Sequence, residues 1–239
     1  MSSVRRRLRS VVCLGALVLA GATANAQMGG APFGQPLTPG WTIEFKGGRL
    51  EPELESFAEF YGEKDTGYVA GSFAYRFKPW FEAGAEVGYL RDRGVGILAE
   101  QGVPGGGVVY SLMPLHLQVT MRGQFKPDQL FVPYFGLGVT SAYYRQEVEL
   151  QEDRTGWSDT GSFGRVGIEL YLNRLDPGAA GGGLSDGVIK QSYLYLEAQR
   201  FSAEKEGNEL GGDAIVVGLR FTFGRAIEQR GAARSSAPR

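Results

Sequence analysis

The sequence contains little of the side-chain chemistry from which most enzymes and metal sites are built. Its 239 residues include one cysteine and one histidine. A single thiol excludes a disulfide framework and any site that needs several thiolates. A single imidazole excludes zinc sites that use two or more histidines. A net charge of -1 gives no basic surface of the kind that binds nucleic acid. We therefore expect no catalytic, cofactor or metal site, and no nucleic-acid partner.

The sequence also lacks an apolar run of the ~20 residues that a membrane-spanning helix needs. Its most apolar stretch, residues 11–20, follows Arg5, Arg6, Arg7 and Arg9 and precedes Ala24-Asn25-Ala26. A positive start, a short apolar stretch and small residues at the end are the pattern of a secretory signal peptide. We expect residues 1–26 to be removed on export. Cys13 lies within them, so the mature chain has no thiol.

The rest of the chain divides into three parts. Residues 27–40 are rich in glycine and proline and indicate a flexible linker. Residues 224–239 are polar and predict a disordered periplasmic tail. Between them, apolar residues recur at alternate positions, which predicts β-strands. Eight such runs occur, at 41–46, 68–77, 80–91, 108–122, 130–145, 163–172, 192–201 and 213–223.

The two faces of each run differ in a way that indicates which one contacts lipid. In the last run Leu219, Phe221 and Phe223 alternate with Gly218, Arg220 and Thr222. Glycine weakens strands, but it suits a narrow interior that must admit long side chains. Aromatic residues near the run ends fit the girdles at membrane interfaces: Trp41, Phe77, Trp80, Tyr89 and Tyr143. These features favour a membrane barrel over a soluble barrel or sandwich.

Residues 41–223 resemble the small eight-stranded outer-membrane β-barrels of the OmpA, OmpX and OmpW type. The resemblance is carried by the signal peptide, by Val-Pro-Tyr-Phe-Gly-Leu-Gly-Val at 132–139, and by Gly-Leu-Arg-Phe-Thr-Phe at 218–223. It implies an all-β, antiparallel, up-and-down transmembrane barrel in the outer membrane of a Gram-negative bacterium. It also implies that Leu219, Phe221 and Phe223 form an assembly signal read by the outer-membrane barrel-assembly machinery.

Up-and-down topology makes the gaps between runs alternate between external loops and periplasmic turns. The external loops are expected at 47–66, 92–107, 146–160 and 202–212. The turns are expected at 78–79, 123–129 and 173–190, of which the last is a glycine-rich insertion. Pro114 interrupts the fourth run, and a closed barrel has no edge strand to accommodate it. A β-bulge is expected there.

The inward face carries five acids and five bases, which must pair in an interior with little water. Eight strands enclose a space that side chains can fill, which favours a structural plug over a gated ion path. Arg220 is expected to pair with Glu44 or Glu197. His116 is expected to be a hydrogen-bonded interior residue, because His-Leu-Gln at 116–118 lacks the serine of similar lipid A deacylases. The inward set is Glu44, Lys46, Arg76, Glu82, Glu86, His116, Arg122, Arg165, Glu169, Glu197 and Arg220.

The first external loop is acidic and contains three aromatic residues. It indicates either a solvated loop or a patch for a divalent cation or a protein partner. Its residues are Glu51, Glu53, Glu55, Glu59, Glu63, Asp65, Phe57, Phe60 and Tyr61.

Together these features predict a non-enzymatic outer-membrane barrel that supports the membrane or makes contacts through its loops. The expected partners are outer-membrane lipid and lipopolysaccharide, the assembly machinery and an extracellular partner. A narrow passive channel and a lipid-modifying enzyme are the alternatives.

Overall fold

The computed structural model describes residues 39–53, 57, 61, 64–78, 80–98, 103–126, 129–149, 152–175 and 189–223. The signal peptide at 1–26, nearly all of the linker at 27–40, the tail at 224–239 and residues 176–188 of the glycine-rich insertion lie outside the described residues. Their assignments stay predictions.

Eight long antiparallel strands form the wall, and short elements extend its ends. Neighbours along the wall pair in the order β4-β3-β2-β1-β11-β8-β7-β5, and β4 pairs with β5 to close the barrel. The predicted eight-stranded up-and-down barrel is confirmed. The elements are β1 Gly40–Pro52, β2 Thr66–Lys78, β3 Phe81–Leu98, β4 Val103–Arg122, β5 Phe131–Val148, β6 Arg154–Trp157, β7 Gly161–Tyr171, α1 Leu172–Leu175, β8 Ile189–Phe201, β9 Glu204–Lys205, β10 Asn208–Glu209 and β11 Gly212–Phe223.

The alternation along each strand separates an apolar outer surface from a buried interior. On β11 and β1 the ladder runs from Trp41↔Phe223 to Pro52↔Gly212 without interruption. Outward Phe45, Leu137 and Ile215 are 61%, 66% and 66% exposed, whereas inward Glu86 and Arg220 are 0% exposed. Apolar side chains outside and charges inside reverse the arrangement of a soluble protein. This wall is therefore suited to hydrocarbon.

Three adjacent strands are longer than a membrane crossing requires. A transmembrane strand needs ~9–11 residues, whereas β3, β4 and β5 have 18, 20 and 18. The extra residues lie at the end of the barrel away from the first and last strand ends, Gly40 and Phe223, where β6 also pairs with β5. The predicted topology makes this the external end and the opposite end the periplasmic one, and the two ends are named accordingly below. The predicted runs missed this extension, because the alternation of apolar residues stops where the strands leave the membrane.

Pro114 does not produce the expected bulge. It pairs with Ala142 inside an unbroken β4–β5 register. On the other side the β3–β4 ladder has a gap between Val87↔Leu115 and Leu90↔Leu112, and the register is the same above and below it. The missing N–H of proline therefore removes ladder bonds towards β3 and leaves the strand in line. The register of this pair shifts further out, between Val95 and Ile97.

The gap at 202–212 is a short hairpin rather than an open loop. Strands β9 and β10 pair around Glu206 and Gly207, whose φ angles of 53° and 82° form a tight two-residue turn. Ala203 and Leu210 on this hairpin are buried against the barrel mouth. None of the described helices is long and apolar enough to cross a membrane.

Candidate functional site

The candidate site is the buried charge network in the periplasmic half of the barrel. Every barrel strand except β5 contributes a residue of the predicted inward set, and all of these side chains point into the interior. None of the eleven residues is more than 6% exposed. Each of the five glutamates and five cations has an oppositely charged partner within 4.0 Å.

The lower layer of the network is organised by Arg220. Its Nη1 lies 2.7 Å from Glu44 Oε1 and 2.8 Å from Glu169 Oε1, and its Nη2 contacts Glu82. The pairing with Glu44 follows directly from the β1–β11 register, in which the two residues are opposite each other. Glu197, the other predicted partner of Arg220, does not pair with it. Glu197 lies opposite Val216, four residues before Arg220 on β11.

Arg76 and Arg122 complete this lower layer. Arg76 Nε donates to Glu82 Oε1 at 2.8 Å, from the opposite position on β2. Arg122 contacts Glu169 and lies with its guanidinium 5.0 Å from the centre of the Tyr193 ring. Cationic side chains are therefore held both by carboxylates and by an aromatic face.

The upper layer is built around Lys46 and Arg165. Lys46 Nζ lies 2.7 Å from Glu86 Oε2 and 2.6 Å from Glu197 Oε1. Arg165 Nη1 lies 2.9 Å from Glu44 Oε2 and 3.2 Å from Glu197 Oε2. Glu44 thus joins the two layers, since its two oxygens bind different arginines.

Neutral side chains satisfy further atoms of the network, and the sequence analysis did not identify them. Ser72 Oγ donates to Glu44 at 2.8 Å, and Tyr134 OH donates to Glu197 at 2.8 Å. Arg165 Nη2 donates to Thr120 Oγ1, and Lys46 Nζ donates to Gln199 Oε1. These residues share the inward parity of the charges, and that parity was the signal available in the sequence.

Glycines give the large inward side chains their space. A Cβ at Gly167 would lie 2.6 Å from Tyr134 Cζ, and one at Gly218 would lie 2.5 Å from Tyr195 Cζ. Real Cβ atoms do not approach neighbouring atoms so closely. At Gly167 and Gly218, therefore, a neighbouring strand places a tyrosine ring against the wall.

His116 is buried but is not hydrogen-bonded as expected. Among the described residues, neither ring nitrogen has a hydrogen-bond partner. Its ring instead stacks on Phe163, with centroids 4.1 Å apart, and lies 5.3 Å from Phe201. The prediction failed because position 116 lies at the junction between the charge network and an apolar layer, where its nearest neighbours are aromatic.

An apolar cluster fills the interior above the charge network. It combines inward strand residues with Phe57 from the first external loop and with the β9–β10 hairpin. Tyr61 packs on Phe57, and burial together with the nearby Asp92 carboxylate raises the pKa of Tyr61 to about 12. The buried members are Leu50, Phe57, Tyr68, Leu90, Tyr110, Leu112, Ala142, Phe163, Phe201, Ala203, Leu210, Ala214 and Val216.

This arrangement corrects the interpretation of the first loop as an exposed aromatic patch, because Phe57 is 2% exposed. Two of its acids pair with arginines: Glu53 with Arg200, and Asp65 with Arg49 at 2.8 Å. No group of three or more potential ligands for a metal ion occurs among the described residues. Phe60, Glu55, Glu59 and Glu63 lie outside them.

The outward residues of the predicted set lie on the outer wall. Leu219 is 42% exposed, and Phe221 and Phe223 are half-buried beside it on β11. Trp41 and Phe77 lie at the periplasmic ends of β1 and β2, and Trp80 lies in the turn just before β3. Trp41 stacks on Phe73. Tyr89 and Tyr143 lie further out, and Tyr143 contacts Trp157 of β6 with centroids 5.5 Å apart. Two aromatic levels therefore flank the apolar wall.

A closed eight-stranded barrel with an apolar outer wall and a charged, buried interior has the fold of the small integral outer-membrane β-barrels. No protein-family model and no curated protein matches this sequence. Among solved structures, the N-terminal β-barrel domain of Pseudomonas aeruginosa OprF is 12% identical, with a TM-score of 0.46 over 79% of this chain and 100% of that one.

Two further solved barrels are similar at the same level. Neisserial surface protein A is 12% identical, with a TM-score of 0.49 over 77% of this chain and 97% of that one. OprG from Pseudomonas aeruginosa is 14% identical, with a TM-score of 0.49 over 79% of this chain and 97% of that one.

Proposed function

We propose that this protein is a non-conducting, non-enzymatic outer-membrane barrel that supports the membrane and presents its external end to an extracellular partner. The observation that carries the proposal is the filled interior. Paired charges occupy the periplasmic half, and the apolar cluster occupies the external half. A solute crossing the barrel would have to displace both layers, which supports a plugged interior rather than a conducting one.

The external extension of β3, β4 and β5 supports the interaction role. Strands β3 and β5 have 18 residues each, about 7 more than the ~11 that a crossing needs. At about 3.3 Å per residue, this excess lengthens each strand by about 23 Å. Such a rigid, sheet-based platform positions contact residues more accurately than a free loop does. Exposed arginines at 91 and 93 of β3 lie on it. The partner is therefore expected to meet the β3–β5 side of the barrel.

The proposal includes a route to the membrane. Residues 1–26 would direct export, and Leu219, Phe221 and Phe223 would be read by the assembly machinery as the last strand closes against β1. Outer-membrane lipid and lipopolysaccharide would then surround the apolar wall. The absence of a hydrogen-bonded nucleophile beside His116 among the described residues supports a non-enzymatic role.

Planar-bilayer recording of the purified protein tests the proposal. The expected result is a baseline without discrete steps at any applied voltage, in preparations where heat-modifiable migration shows that the barrel is folded. Steady, reproducible single-channel steps would refute the closed interior and support the channel. Mass spectrometry of lipid A from expressing cells tests the alternative of a lipid-modifying enzyme. The proposal expects an unchanged mass spectrum.

A further inference from the structure

Two arginines on the outward face of β3 differ from the other outward arginines near the external end. Arg91 and Arg93 are exposed, and neither has a carboxylate within 4.0 Å among the residues that the structure describes. Asp92 between them has inward parity, and its Oδ1 accepts a hydrogen bond from the backbone N–H of Arg93 at 2.7 Å. The other outward arginines of the strands each lie within 4.0 Å of a carboxylate: Arg49, Arg145 and Arg200. Two neighbouring guanidinium groups are therefore available to an anion from outside the chain.

The aromatic level of the wall indicates the depth of this pair. Tyr89, which is 43% exposed, precedes Arg91 by two residues on the same face of β3. At about 3.3 Å per residue and a strand tilt of roughly 35–45°, Arg91 and Arg93 lie about 5 and 10 Å beyond Tyr89. Interfacial tyrosines mark the edge of the hydrocarbon core, and each head-group layer is roughly 5–8 Å thick. The two guanidinium groups therefore lie at the depth of the external head groups.

The two arginines can act as one site. They are two residues apart on one face of the strand, which is about 6.6 Å. Because arginine has a long, flexible stem, both guanidinium groups can reach one ligand between them. The residues opposite Arg91 and Arg93 on β4 are Ser111 and Val109, which carry no charge. The site therefore combines two cations with a hydroxyl group, and no acid lies on its β4 side.

The charge of the site indicates which head group fits it. Guanidinium groups bind phosphate oxygens through paired N–H donors. A phosphomonoester has a charge of about −1.5 to −2 at pH 7, which two guanidinium groups match. A phosphodiester, as in phosphatidylglycerol, has one negative charge and leaves one arginine uncompensated. Lipid A, the membrane anchor of lipopolysaccharide, carries phosphomonoesters on its sugars at the depth of the head groups.

We propose that Arg91 and Arg93 bind one phosphomonoester of lipid A at the β3 side of the barrel, and that Ser111 donates a further hydrogen bond to it. The inference rests on the proposed placement of the wall in lipopolysaccharide and does not depend on whether the interior conducts. It also divides the external platform into two parts. The base of the platform binds the membrane, and the part beyond Arg93 stays open to the extracellular partner.

Native mass spectrometry of the detergent-purified protein tests this proposal. The protein is titrated with lipid A that carries both phosphates, or with the same lipid A after removal of its phosphates. The expected result is a one-lipid species that forms at a roughly tenfold lower concentration of the phosphorylated lipid, because charge-assisted hydrogen bonds are the stronger ones. Arg91→Gln combined with Arg93→Gln should remove this preference. Arg145→Gln is the matched control and should keep it, because Arg145 lies in the same row of paired residues but already pairs with Glu147.

Further variants and lipids separate phosphate recognition from general lipid contact. Arg91→Lys combined with Arg93→Lys keeps both charges but loses the planar donors, and it should retain only part of the preference. Dephosphorylated lipid A should bind all variants alike, because the apolar wall is unchanged. Heat-modifiable migration establishes that each variant is folded.

Three outcomes would overturn the site. The first is equal binding of the two forms of lipid A by the unmodified protein, and the second is an equal loss of preference in the Arg145→Gln control. The third is binding of phosphatidylglycerol at the same concentrations as phosphorylated lipid A, which would contradict a phosphomonoester. If neither form of lipid A bound the unmodified protein, the proposed placement of the wall in lipopolysaccharide would be overturned as well.

Discussion

Arg220 illustrates at the residue scale how the interior is stabilised. Its guanidinium contacts the carboxylates of Glu44, Glu82 and Glu169, and the arginine is fully buried. A guanidinium presents five donors in a fixed plane, which allows one residue to serve three acids from three strands. Removing one charge from such a cluster leaves its partners buried without a compensating charge, and this lowers the stability of the folded barrel.

The first prediction concerns the pair of Arg220 and Glu44. Arg220→Met or Glu44→Gln alone should lower the free energy of unfolding by ~3–5 kcal/mol, because a charge is left unpaired. The double variant should cost less than the sum of the two. Urea unfolding in lipid vesicles measures the cycle. Glu197 has no contact with Arg220, so the same cycle with Glu197→Gln should be closer to additive. Equal coupling energies in the two cycles would refute the assigned pairing.

The second prediction concerns the glycine beneath Tyr195. Gly218→Val should destabilise the barrel by ~1–3 kcal/mol, because a Cβ there would lie 2.5 Å from both the Phe45 backbone oxygen and Tyr195 Cζ. Tyr195→Ala in the same chain should recover part of that loss. Gly71→Val on the outward face, where the nearest atom to a Cβ is 3.7 Å away, should cost little. Similar losses at both glycines would show that strand propensity, not interior space, determines the effect.

Residue parity could be predicted from the sequence, but residue partners could not. Inward placement of Arg220 and Glu197 needs only the period-two alternation of a strand. Which acid meets Arg220 depends on the stagger between β8 and β11, which places Tyr193 opposite it. For the same reason the aromatic neighbours of His116, which come from β7 and β8, could not be read from β4 alone.

At the scale of the element, β11 shows how one strand serves two environments. Its outward residues Leu219 and Phe221 face lipid, while Arg220 between them reaches the network. Alternation of this kind was sufficient to predict where β11 lies, because its two faces carry clearly different types of residue. Beyond the membrane the two faces of β3 carry similar residues, as in Arg91-Asp92-Arg93-Gly94. The contrast disappears there, and the external end of the strand could not be predicted.

The third prediction tests the orientation of β11. Leu219→Arg should cost ~2–4 kcal/mol near the bilayer midplane, because the charge enters hydrocarbon. Leu219→Ile keeps the apolar surface and should fold as the unmodified protein does. Folding into lipid vesicles, followed by heat-modifiable migration and urea titration, measures both variants. Equal stability of the arginine and isoleucine variants would mean that this face does not contact lipid.

At the scale of the whole molecule, the interior consists of two buried layers in series. The apolar cluster lies near the external mouth, and the charge network below it is electrically balanced, with five carboxylates and five cations. The paired side chains in the network are at most 2% exposed. We therefore expect ions in solution not to reach these charges, as the proposed closed interior requires. An ion path through the same residues would require charged side chains that ions in solution can reach.

The fourth prediction follows from this inaccessibility. Salt shortens the Debye length from about 10 Å at 0.1 M to about 3 Å at 1 M and weakens only those charge pairs that solvent reaches. The exposed pairs, such as Arg49–Asp65 and Arg145–Asp153, contribute about 0–1 kcal/mol each. The unfolding free energy in lipid vesicles should therefore change by no more than about 1 kcal/mol between these KCl concentrations. A loss of several kcal/mol would mean that ions enter the network, and the interior would then have to be treated as a wet, conducting path.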